Sequence, residues 1–303
     1  MKASCGRQLP FHTTLLGVVK GVLEHFGSTV SAPYLYGATG HAFLINIHEQ
    51  ICPSGPYCWN QDPFHELLAG LGIRRTSLGF FHGNPSPEER ARIESEVRSA
   101  LEAGTPASLL NLEHQLICGW DDDGFDLVQP WAPHVDFPPA RLTCGSWSEF
   151  GNQIHVEFST YAPIAAWQKL EQIRRSLETA VDMAENPNHY VLHPYAVGPD
   201  AYRVWLAAIE QHGASHGNWW NAQVWGECRR MAAGYLAEVA ESAPAAAEPA
   251  LAASELARQV AALLAQAGSK ERSLQEKAES LREASEVEQA MVERLRETLR
   301  LLG

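Results

Sequence analysis

Between Leu15 and Phe26, apolar residues fall at Leu15, Val18, Val19, Val22, Leu23 and Phe26, the spacing of one helix face. Thr13 or Thr14 precedes the run as a candidate N-cap, and Gly27 follows at the position where a left-handed residue closes a helix. Phe43, Ile45 and Ile47 then alternate with Leu44, Asn46 and His48, a strand period, and Pro53-Ser54-Gly55-Pro56 reads as a turn. Helices are expected from Pro63 to Leu71, ended by Gly72, and from Glu88 to Ala103, stopped by Gly104. The second of these carries Ile93, Val97, Ala100 and Leu101 on its inner side.

Pro106 to Trp120 reads as a strand, Asp121-Asp122-Asp123-Gly124 as a hairpin turn and Phe125 to Gln129 as the return strand. Ile154 to Ser159 makes another. Beyond Ala162 the period changes, and residues 164–240 read as helix, broken at Asn186-Pro187, His193-Pro194 and Gly198-Pro199. Ser242 to Ala253 reads as a loop or a helix–helix link. From Ser269 to Leu302 a charged stretch carries an apolar stripe at Leu274, Ala278, Leu281, Met291, Leu295, Leu299 and Leu302. The order predicts an α+β domain with an antiparallel sheet over residues 1–162, followed by an α-helical region over 163–303 with a terminal charged amphipathic helix.

Composition narrows the classes of function. The chain has 303 residues, 45% of them hydrophobic, with nine tryptophans, enough for a sizeable core. A net charge of −13 with no Lys/Arg cluster opposes a phosphate backbone, so no nucleic-acid partner is expected. No run is long and apolar enough to span a bilayer, and the stretch Leu15–Leu23 is broken by Lys20. The expectation is a cytoplasmic protein without a membrane partner. The six cysteines, at 5, 52, 58, 118, 144 and 228, match neither a disulfide scaffold nor a zinc knuckle and read as reduced thiols. No metal or cofactor is expected.

The segment "LEHQLICGWDDDGFDLVQPW" carries the strongest chemical signal. Alternation groups His114 with Leu110, Leu112, Leu116 and Cys118, where the ordinary reading is a buried histidine hydrogen-bonded to backbone. The acidic turn and the Gln129-Pro130 that follow add a second reading, a general base with Gln129 as the amide that orients it.

Here the sequence resembles the C39-like branch of the papain-type superfamily, in which a His, an apolar run, Gly-aromatic-Asp-Asp and Asp-Pro recur; Gln129 replaces the usual Asp. "YGATGHAFLINIHEQICPSGP" and "NWWNAQVWGECRRMAAGYL" resemble segments of uncharacterised bacterial proteins related to the butirosin biosynthesis protein H family, and the likeness covers most of residues 11–240. It implies a C39-like domain followed by helices, and cysteine-dependent acyl transfer as available chemistry. It also implies a nucleophilic cysteine at the start of the first helix, its pKa lowered by the helix and the histidine. The matching segment "LPFHTTLLGVV" has no cysteine; His12, Thr13 and Thr14 stand there, and Cys5 lies upstream.

In "TGHAFLINIHEQ", His41 and His48 fall on opposite faces of a regular strand, so a joint metal site is not expected; with the loop at Gly40 they are candidate pocket residues. Asn218, Trp220 and Asn221 lie in an aromatic, amide-rich set that suits either a small-ligand cleft or the docking of helices on the first domain. The leading expectation is a catalytically degenerate papain-like domain that binds a small molecule or peptide in a cleft between the α+β domain and the helices. The alternatives are a cysteine-dependent acyltransferase or amide/thioester hydrolase, with His114 as base, Gln129 as orienter and Cys5 or a threonine attacking, and an assembly protein that uses its terminal helix. The expected partners are accordingly a small molecule, an acyl group or a peptide, and a second copy of the chain if it forms a homo-oligomer.

Overall fold

A computed structural model describes residues 6–151, 155–213 and 215–303. The chain runs α1 (Thr14–His25), α2 (Ala32–Ala38), β1 (Asn46–His48), α3 (Asp62–Gly70), β2 (Ile73–His82), α4 (Pro87–Glu102), β3 (Ala107–Asn111), β4 (Glu113–Trp120), β5 (Gly124–Leu127) and β6 (Arg141–Thr143). There follow β7 (His155–Pro163), α5 (Lys169–Glu185), β8 (Tyr195–Val197), α6 (Pro199–His212), α7 (His216–Ser242), α8 (Ala247–Gly268) and α9 (Leu274–Leu302). This is a mixed α+β protein with antiparallel sheets and C-terminal helices. No helix among the described residues is long and apolar enough to cross a membrane.

The chain forms two compact units whose division is not the contiguous one expected at residue 162. One comprises residues 1–30 and 72–165, the other 31–71 and 166–303. The segment from α2 to α3 therefore folds with the helical part.

In the first unit six antiparallel strands lie in the order β2-β7-β3-β4-β5-β6. One face packs Leu109, Ile117, Val156 and Phe158 with Ile93, Val97 and Leu101 of α4. A reciprocal capping box of Ser86 and Glu89 starts α4, and Gly104 at φ +74° follows its end. Helix α1 lies against β4. Gly21 permits the approach, since a Cβ there would stand 2.7 Å from the Leu116 side chain. The single strand expected over 106–120 is instead a hairpin. The exposed Leu112, at φ +65°, turns the chain and sets Leu110 opposite His114. No glycine or proline marks this turn, so the hydrophobic pattern runs through it.

In the second unit α7, α8 and α9 pack in succession, with α5 and α6 against α9 and α2 across α7. β1 and β8 form a two-stranded antiparallel sheet. The strand expected from residue 43 is confined to Asn46–His48, after a 3-10 turn at His41–Phe43. Of the apolar stripe of α9, Ala278, Leu281, Met291 and Leu295 are buried, Leu299 and Leu302 are half-buried and Leu274 is exposed.

Candidate functional site

In the first unit, the N-terminus of α1 meets the start of β4. β5 pairs with β4 only from Ile117 onward, with Val128 N–H reaching Leu116, so the backbone of β4 before that point needs other partners. Gln8 supplies them: its amide donates to the His114 carbonyl at 2.8 Å and accepts from Leu116 N–H at 2.9 Å. The Thr14 hydroxyl accepts from His114 N–H at 2.9 Å and donates to the Glu113 carboxylate at 2.6 Å. Both bonds of Thr14 thus hold the backbone and the buried Glu113 in place. Thr13, the N-cap, is fully buried; its hydroxyl caps nothing and has no hydrogen-bond partner among the described residues. His12 is half-buried just before it. Cys5 lies outside the described residues.

The His114 ring is 2% exposed. Burial, and then the Arg75 guanidinium, hold its pKa well below the ordinary histidine value. Arg75 is itself tied to Glu157 at 2.6 Å, and Ser108 to Tyr161 at 2.9 Å, on the same face of the sheet. Gln129 does not take the orienting place expected of it. Its amide nitrogen donates to Asp136 at 2.9 Å and to the Pro138 carbonyl at 2.8 Å, fastening the loop after β5.

The second unit holds the other candidates. The Gly40 loop does not offer its amides: Gly40 N–H donates to Gly37 O and Thr39 N–H to Leu35 O, closing α2. His41 is fully buried, its Nδ1 3.7 Å from the Cys228 sulfur and its ring stacked near Trp225 and edge-on to Trp59, Phe64 and Tyr36. Burial lowers its pKa to about 4, against the opposing pull of the His41 and Pro56 carbonyls and Glu227, and with a further push from Arg229. His48 accepts from Gln50 N–H at 2.9 Å and stands edge-on to Tyr195.

Asn218 and Asn221 bind the fold to itself. Asn218 accepts from Trp205 at 2.8 Å and donates to Ala267 O at 3.0 Å. Asn221 accepts from Trp225 at 3.0 Å and donates to Gly217 O at 2.9 Å. Both are buried, so these amides are not offered to a ligand. Trp220 is half-buried, its ring 5.8 Å from that of Trp219.

Sequence reasoning missed a cavity of about 170 Å³ among α5, α6, α9 and Phe43. Its apolar wall is Phe43, Ala180, Met183, Met291, Val292 and Leu295. Its polar lining is Tyr202, Ser285, Glu288, Gln289, Glu293 and Arg296. The Tyr202 hydroxyl donates to Glu288 at 3.1 Å, and the fully buried Arg229 bonds both carboxylate oxygens and the carbonyls of Ala42 and Leu44. The charge of the half-buried carboxylate is thereby offset while it keeps lone pairs for another donor. These residues come from segments far apart in the chain, and no local pattern announces them.

No protein-family model and no curated protein matches the chain.

Proposed function

We propose that the protein binds a small, largely apolar molecule, and that its sheet-containing unit is a catalytically silent papain-type domain of the C39-like, butirosin-H-related kind. The cavity beside Glu288 carries the binding reading. Its volume is that of apolar protein cavities that accept a single- or fused-ring aromatic. Glu288 in its lining offers an acceptor to a ligand with a hydrogen-bond donor, and Met183 and Met291 give it an adaptable wall.

Silence of the other unit is supported by the start of α1. A threonine stands where the resemblance places the thiol, and the neighbouring hydroxyl is committed to Glu113 and the His114 backbone. A His114 pKa held far below neutrality also makes a weak base. The competing reading, cysteine-dependent acyl transfer with His114 as base, draws on the retained placement of that histidine at the helix start.

Indole is a suitable probe, with an apolar body and one N–H. Calorimetric titration should show saturable binding to the wild type and its loss in Ala184→Trp, which fills the cavity from its half-exposed wall. Equal binding by the variant would remove the cavity as the site. Intact-mass analysis after exposure to an acyl thioester should show no adduct; an adduct lost in both Cys5→Ala and His114→Ala would establish acyl transfer instead.

A further inference from the structure

At one end of the β2–β7 pair, His82 and His155 stand directly opposite in register. Both side chains are exposed, their Nδ1 atoms 2.9 Å apart and their ring centroids 4.3 Å apart. One Nδ1–H donates to the other ring's Nδ1 lone pair. We propose that this pair is a bidentate site for a divalent late transition-metal ion of the nickel and copper class.

An imidazole nitrogen binds such an ion at about 2.0–2.1 Å, so two nitrogens at a right angle lie about 2.9 Å apart and two at the tetrahedral angle about 3.4 Å apart. The observed 2.9 Å is the length of an N–H···N hydrogen bond, and it brings both nitrogens close enough to share one ion, for which imidazole donors and the order of divalent-ion affinities favour nickel(II) and copper(II). Strand pairing already fixes the two backbones, so the chelate forms without moving the sheet. The donating ring passes its Nδ1 proton to solvent and takes one back at Nε2. Rotation of the two exposed rings then turns both Nδ1 lone pairs from the hydrogen-bond line towards one ion, and two neutral rings release no net proton.

Access and room are present. β2 is an edge strand of its sheet. The next residue, Gly83, has nothing within 4 Å of where a Cβ would stand, leaving space for waters to complete the coordination sphere. Among the described residues no group of three or more His, Cys, Asp or Glu side chains is placed to hold a metal. The site therefore has two protein ligands, with water supplying the others.

The test is calorimetric titration of the full chain with nickel chloride, beside His82→Gln and His155→Gln. Loss of a group behind a ligand commonly costs tenfold or more in affinity, so loss of either ligand should weaken binding at least about tenfold. Far-UV circular dichroism without nickel, unchanged in both variants, shows that the fold stands. Nickel uptake that survives both substitutions, or no uptake by the wild type, overturns the proposal.

Discussion

His41 sits in a box of Tyr36, Trp59, Phe64 and Trp225 with the Cys228 thiol beside it. Its folded pKa of about 4 lies below the ordinary 6.5 because water is excluded from the ring. The unfolded chain therefore takes up this proton first as pH falls. Stability is lost progressively from about pH 6.5 down to about pH 4. The difference corresponds to about 3 kcal/mol. His114, lowered by burial and Arg75, acts in the same direction. Urea unfolding followed by tryptophan fluorescence should show a falling midpoint between pH 7 and 4.5, and a shallower fall in His41→Leu. An identical pH dependence in the variant would mean that His41 is not the group that resists protonation.

At the scale of elements, the crossing of α2 on α7 depends on Gly37. A Cβ there would stand 1.9 Å from the ring of Tyr235, whose hydroxyl bonds Ser176 of α5 at 2.6 Å. The ring is fixed at both ends, so Gly37→Ala must displace the helix. The expected cost is about 1–3 kcal/mol, the ordinary cost of overpacking. A denaturation midpoint equal to the wild type would show that α2 shifts freely. The hairpin β3–β4 belongs to the same scale. Leu112 is apolar and continues the strand alternation, so nothing local separates 106–120 into two strands. The antiparallel pairing of Leu110 with His114 and Leu109 with Gln115 makes the turn worthwhile, and that pairing is a tertiary fact.

For the whole molecule, the division at 30–31, 71–72 and 165–166 means that the helical part is not an autonomous C-terminal piece. A fragment of residues 163–303 lacks β1, the partner of β8, and the Ala42 and Leu44 carbonyls that receive the buried Arg229. It should express as an aggregated or loosely folded species with poor amide dispersion in NMR. A well-dispersed spectrum from that fragment would show that segment 31–71 is dispensable. The terminal helix also belongs here: α5, α6 and α8 pack against it and bury the middle of its apolar stripe, while Leu274 at its start stays exposed.

Sequence alone determined what periodicity and capping chemistry encode locally. α1 with its closing Gly27, α3, α4 with its Ser86 start, the Asp121–Gly124 turn and the long α9 all follow from residues within a turn or two of each other. The contact of His114 with the start of α1 was not legible in periodicity or capping, since residues a hundred positions apart carry no local signal of contact. Tertiary structure alone decided where polar groups found partners. Gln8 and Thr14 complete the edge of β4, Gln129 turns to Asp136, and Asn218 and Asn221 close on tryptophans and carbonyls. An amide or hydroxyl in a sequence looks equally suited to a ligand and to the fold. Burial requires that it be satisfied, and only the packed chain shows which partner is near enough.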